Sequence, residues 1–153
     1  MTSTIATIVS NNYSMPFDAV KCWIQLGGID FFSYSGSTLH YNRNIVYNEA
    51  RKRNQDLIFI DSDIIFTPQQ VRTLENHLGE GKDIVTGVYT LFDTNDFPAL
   101  FRRVADEYVP MKPEEGVNVV GACGMGFCAI SKKVIQEMGD EPFNPFTEGK
   151  VQH

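Results

Sequence analysis

The sequence predicts an α/β protein: a three-layer α/β/α domain around a central, mostly parallel sheet with a small antiparallel excursion. Two observations carry that expectation. Short apolar runs alternate with segments of helical period along most of the chain, the pattern of βαβ units. One run, Leu57-Ile58-Phe59-Ile60, is apolar without alternation, as a strand buried on both faces must be, and it ends abruptly in Asp61-Ser62-Asp63. With 153 residues, the chain is expected to fold as one domain, 1–153, long enough to bury a full core.

The elements follow in order. Ile5 to Val9 is an apolar run closed by Ser10-Asn11-Asn12, a strand and a polar loop. Pro16 opens a helix with Val20, Trp23, Ile24 and Leu26 as its apolar face, and Gly27-Gly28 stops it. Ile29 to Tyr34 is a second strand, broken by Ser35-Gly36-Ser37. A helix from Leu39 to about Arg53 carries Ile45, Val46 and Ala50 on one side. The strand ending in the two aspartates comes next, and Thr67-Pro68 starts a helix with Val71, Leu74 and Leu78 at helical spacing. Ile84 to Tyr89 is a fourth strand. Beyond it the pattern changes: Ala99 to Val104 and Tyr108 to Met111 flank a turn, and Gly116 to Val120 is another strand. A glycine-rich stretch, 121–126, precedes a last helix from near Ser131 that buries Val134, Ile135 and Met138. The tail, 139–153, has no period.

Asp61 and Asp63 are the residues that ask for chemistry. A carboxylate at the end of a buried strand must be solvated, paired or metal-bound, and the carboxyl ends of parallel strands are where open α/β folds place ligands. Two hard oxygen ligands there suit Mn²⁺ or Mg²⁺ holding a phosphorylated substrate; the bland alternative is a turn-forming or helix-capping pair. Arg43 can neutralise a diphosphate with its guanidinium fork, or lie on a helix surface. Gly87 and Tyr89 close the fourth strand, where glycine allows close approach to the backbone and tyrosine is either a site residue or a core aromatic. The glycines from 121 to 126 lie too late in the chain, and without the strand and helix that should flank them, for a dinucleotide-binding fingerprint.

Composition excludes several classes. The net charge of −6 offers no basic stripe for nucleic acid, and Arg51-Lys52-Arg53 suits a helix C-terminus. The three cysteines, Cys22, Cys123 and Cys128, lack metal-site spacing and read as reduced thiols. No apolar segment approaches the roughly 18 residues of a membrane span, and the N-terminus lacks a signal-peptide pattern. The expected compartment is the cytoplasm.

Four pieces in order resemble the nucleotide-sugar glycosyltransferases of the GT-A fold, especially the family 2-like group. Phe59-Ile60-Asp61-Ser62-Asp63-Ile64-Ile65-Phe66 is similar to their DXD segment. Arg43-Asn44 with Ala50 looks like the helix before it, and Asp83 to Tyr89 like the strand after it. Gly124 to Ser131 looks like the later glycine-aromatic segment. The resemblance implies a GT-A-like, Rossmann-like fold, with residues 1–90 as the nucleotide-binding half and 91–153 as the acceptor-side half. It implies metal-dependent transfer of a sugar from a UDP- or GDP-linked donor to a hydroxyl acceptor such as a glycan. Ser10, Asn11, Asn12 and Tyr13 would then hold the base, unless they form an ordinary turn. Arg43, Asp61 and Ser62 would hold the sugar diphosphate, and Gly87, Tyr89, Gly124 and Gly126 would line the acceptor side. Asp61, Asp63 and a C-terminal histidine, here His153, would bind the metal. The general base in such proteins follows the glycine-aromatic segment, and Glu148 is the candidate here. The sequence lacks a further helix common in the family, so the chain is expected to be either a minimal version or a truncated piece whose acceptor side is incomplete.

Two rival readings remain. A haloacid-dehalogenase-type phosphatase also ends a strand in DxD, with the first aspartate as nucleophile, but on its first strand and with different residues following. A non-catalytic sugar-nucleotide-binding module would keep the donor site without turnover.

Overall fold

The computed structural model describes residues 4–9, 14–27, 30–34, 38–90 and 97–144. In these the order is β1 (Thr4–Val9), α1 (Phe17–Leu26), β2 (Asp30–Tyr34), α2 (Leu39–Arg53), β3 (Asp56–Asp61) and α3 (Pro68–Gly79). There follow β4 (Ile84–Thr86), β5 (Leu100–Val104), β6 (Glu107–Pro110), β7 (Ala122–Cys123), β8 (Phe127–Ile130) and α4 (Lys132–Glu137).

The larger sheet has five strands in the order β2-β1-β3-β8-β4. β3 is central to it. Leu57, Ile58, Phe59 and Ile60 are all fully buried, each stabilising the fold by about 1.5–3 kcal/mol. Their side chains alternate between faces. Ile58 and Ile60 join Cys22 and Leu26 of α1, Val71, Leu74 and Leu78 of α3, and Phe127 and Ala129 of β8. Leu57 and Phe59 join Val46, Tyr47 and Ala50 of α2, Cys128 and Ile130 of β8, and Ile135 of α4. Helices therefore cover both faces, which is why the strand needs no polar positions.

Local chemistry sets the helix ends. Thr67 caps α3 in a capping box with Gln70, the two reciprocal bonds measuring 3.3 and 2.8 Å, with Pro68 following as the first helical residue. Asn54 stops α2 in the left-handed conformation, φ 53°, its amide donating to Ala50 and Arg51 carbonyls. Ser131 caps α4 by accepting from the Val134 amide at 3.3 Å.

The expectation of a GT-A-like, Rossmann-like fold around a mostly parallel sheet is overturned. Among the described residues only β1–β2 and β1–β3 pair parallel, while β3–β8, β4–β8, β5–β6 and β5–β7 pair antiparallel. Antiparallel pairing is thus the majority pattern and not a small excursion. The cause is β8. The chain returns through the glycine-rich stretch and inserts Phe127–Ile130 between β3 and β4, so those two strands never bond to each other. A separate three-stranded antiparallel sheet, β6-β5-β7, completes the fold.

Smaller differences have local reasons. No strand forms at 116–120. Asn118 holds that segment as a loop, its side chain bonding Glu114 N, Glu114 O and Gly116 O at 3.0 Å each, which leaves Val119 96% exposed. The fourth strand is shorter than expected, Ile84–Thr86. The apolar face of α1 is rotated: Ala19, Cys22 and Leu26 are buried, Ile24 points outward, and Trp23 packs edge-on against Phe66 at 5.3 Å.

Candidate functional site

Four separate segments meet at the carboxyl end of β3. The strand delivers Asp61, whose amide donates to Gly126 O at 2.8 Å, and the Ile64 amide closes the following turn on Asp61 O at 3.1 Å. The α2 helix delivers Arg43. Its Nη2 donates to Asp61 Oδ1 at 3.1 Å and lies 3.4 Å from Oδ2, with the guanidinium 5.9 Å from the Phe59 ring centroid. The segment after β4 delivers Tyr89, whose hydroxyl accepts from the Gly126 amide at 2.8 Å. The stretch before β8 delivers Gly126 itself. A Cβ there would lie 2.9 Å from Tyr89 Cζ and 3.1 Å from Asp61 Oδ2. Only a residue without a side chain fits without displacing the tyrosine.

The electrostatics are those of a half-buried pair. The Arg43 and Asp61 side chains are 14% and 28% exposed. Burial raises the Asp61 pKa above the ordinary carboxylate value, the charge and hydrogen bond of Arg43 lower it, and the charge of Asp63 raises it again. Burial likewise raises the Tyr89 hydroxyl, against the lowering effect of the Gly126 bond. Arg43 has a further property. Its Nε is buried and has no hydrogen-bond partner among the described residues. A guanidinium donor left without an acceptor costs free energy, and an anionic oxygen is the group that would satisfy it.

The expected site residues divide into three groups. Asp61, Arg43, Tyr89 and Gly126 come together as described, with Ser62 half-buried on the turn and Asp63 exposed beside it. Gly87 and Gly124 make room for neighbouring side chains. A Cβ on Gly87 would lie 2.2 Å from Phe127 Cδ1, and one on Gly124 would lie 2.0 Å from the Tyr89 hydroxyl. Ser10, Asn11, Asn12, Tyr13, Glu148 and His153 lie outside the described residues. The strand that leads into residues 10–13 does end beside the site, since Val9 pairs in register with Asp61.

The metal-binding expectation is corrected. No group of three or more His, Cys, Asp or Glu side chains among the described residues could hold a metal ion. Asp61, one of the expected ligands, is instead ion-paired to the Arg43 guanidinium at 3.1 Å. The described residues therefore do not fit a standing metal centre, and the GT-A DXD assignment falls with it.

Sequence reasoning missed the anchoring contacts around the site. Asn44, next to Arg43, is buried and ties α2 to the chain beyond α4: its Oδ1 accepts from Phe143 N at 3.1 Å and its Nδ2 donates to Asn144 Oδ1 at 2.9 Å. A polar residue on the apolar side of a helix was the available signal.

The fold and site define a mixed-sheet α/β protein with a charged cluster at one strand end, and no helix of the described residues is long and apolar enough to cross a membrane. No family model and no curated protein matches the chain. Its structure is similar to the crystal structure of A197 from STIV, with a TM-score of 0.72 and 21% sequence identity over 90% of this chain and 69% of that one. At that identity the likeness extends to the fold alone.

Proposed function

We propose that this chain binds a nucleotide diphosphate sugar at the carboxyl end of β3 and passes the sugar to a hydroxyl acceptor. One observation carries the reading: the buried Arg43 Nε, which has no acceptor among the described residues, beside a strand-end carboxylate whose pKa is raised. A diphosphate oxygen accepting from Nε would satisfy the donor while Nη2 keeps Asp61 in place. Asp61, with its raised proton affinity, is then suited to hold or take a proton near a developing charge. The reading requires no protein-built metal centre. The donor is UDP- or GDP-linked, the acceptor a hydroxyl compound such as a glycan, and the compartment the cytoplasm, in keeping with three free thiols.

Calorimetry with UDP- and GDP-sugars, run with Mn²⁺, with Mg²⁺ and with chelator, tests the reading. Binding is expected, and Arg43→Ala is expected to weaken it about tenfold to a hundredfold, the worth of one charge-assisted hydrogen bond. Transfer is read as release of nucleoside diphosphate when an acceptor is added. Binding without release would support the non-catalytic module, and absence of binding by every donor would overturn both.

A further inference from the structure

Away from that site, two sheet edges face one cleft. β4 ends the order β2-β1-β3-β8-β4 and β7 ends the order β6-β5-β7, so among the described residues each has a strand on one side only. A cleft of about 700 Å³ lies between them. Ile84, Val85 and Thr86 line it consecutively, and so do Gly121, Ala122 and Cys123. Neighbouring side chains of a strand point to opposite faces, so consecutive residues meet a cleft together only along the strand's edge.

Register decides which main-chain groups are open there. Gly87 N donates to Phe127 O and Ser131 N to Asp83 O, both at 2.9 Å, so residues 83, 85 and 87 turn their amides and carbonyls towards β8. Those of Ile84 and Thr86 turn the other way, into the cleft, and meet no main-chain partner among the described residues. The walls are apolar, with Ile84, Val88, Val117 and Val119 all exposed. Val117-Asn118-Val119-Val120 has the composition of a strand and pairs with no strand among the described residues. An open edge between apolar walls is where a further strand adds.

Charge selects the occupant. Lys82 and His77 line the cleft where β4 begins, with Lys82 N bonded to His77 O at 3.1 Å. His77 Nδ1 lies 3.0 Å from Glu80 Oε2, whereas the exposed Lys82 ammonium has no carboxylate partner among the described residues. A strand added antiparallel to β4, the stabler pairing, runs towards that end, and a chain terminus there sets one carboxylate beside Lys82. Glu114, on the wall of residues 113–121, disfavours further negative charge.

We propose that this cleft binds the C-terminal end of an extended peptide, added antiparallel to β4 with its free carboxylate on Lys82. The last residue pairs with Ile84 and the third from last with Thr86, each giving and taking one main-chain bond. Their side chains share the face of Ile84 and Thr86, and apolar ones fit the walls.

Fluorescein-labelled hexapeptides Gly-Ser-Gly-Xaa-Ser-Xaa, with Val, Leu, Ile or Phe at Xaa, are titrated with the intact chain and read by anisotropy. At least one is expected to bind with a Kd below about 1 mM. Converting its carboxylate to the amide is expected to weaken binding about tenfold to a hundredfold, and so is Lys82→Ala, a change at an exposed position. Methylating the last peptide nitrogen, which meets Ile84 O, is expected to abolish binding. Methylating the next nitrogen upstream, which faces away from β4, is expected to leave it as in the parent. Failure of every peptide to bind, equal binding of acid and amide, or equal effects of the two methylations overturns the proposal. A second copy of the chain seated on β4 would sediment as a dimer that excludes the peptides, and that result overturns it as well.

Discussion

Asp61 sits where leaving water costs its charged form more than Arg43 returns. Burial is the largest influence on its proton affinity, and the nearby Asp63 charge adds to it. The consequence for stability has a definite sign. An acid whose pKa is higher in the folded than in the unfolded chain binds more protons when folded, so its contribution to stability falls as pH rises from the ordinary carboxylate value through the raised one. Asp61→Asn removes that titration. Relative to wild type, the variant is expected to gain stability as pH rises from about 4, the ordinary carboxylate value, through the raised one. Denaturation midpoints across that range measure it, and a difference that shrinks as pH rises would show that Arg43 outweighs burial.

Between elements, the tie that fixes α2 and so Arg43 is polar. The fully buried Tyr47 donates its hydroxyl to Ile135 O at 2.7 Å and lies 3.3 Å from Met138 O, with its ring edge-on to Phe143 at 5.9 Å. Tyr47→Phe keeps the ring and strands the Ile135 carbonyl, for an expected loss of about 1–2 kcal/mol in chemical denaturation. A loss below about 0.5 kcal/mol would mean that solvent reaches that carbonyl. What could be read from sequence at this scale was what is local. The capping box of α3 and its apolar spacing lie within one helix, so Thr67, Val71, Leu74 and Leu78 were legible. Asp61 and Arg43 were each legible as unusual residues, but their pairing joins positions far apart in the chain, and no periodicity reports it. The glycines were legible as places of close approach; that Phe127 and Tyr89 approach them depends on tertiary packing. β8 escaped for a similar reason: Phe127-Cys128-Ala129-Ile130 is short, and its direction is set by partners as distant as Leu57.

For the molecule as a whole, the decisive piece is that late strand. Phe127, Cys128, Ala129 and Ile130 are all buried and supply apolar contacts on both faces of the larger sheet. A chain ending at Gly126 is expected to lose cooperative thermal unfolding and near-ultraviolet circular dichroism. A sharp transition like that of the full chain would show that β3 and β4 can close on each other. The same connectivity has a consequence during translation. At about 5–20 residues per second, the ribosome takes on the order of three to thirteen seconds to go from Asp61 to Phe127. Throughout that interval the most apolar strand of the nascent chain has one flank of amides and carbonyls open to any passing peptide. The stretch 57–60 is where a chaperone would be expected to bind first.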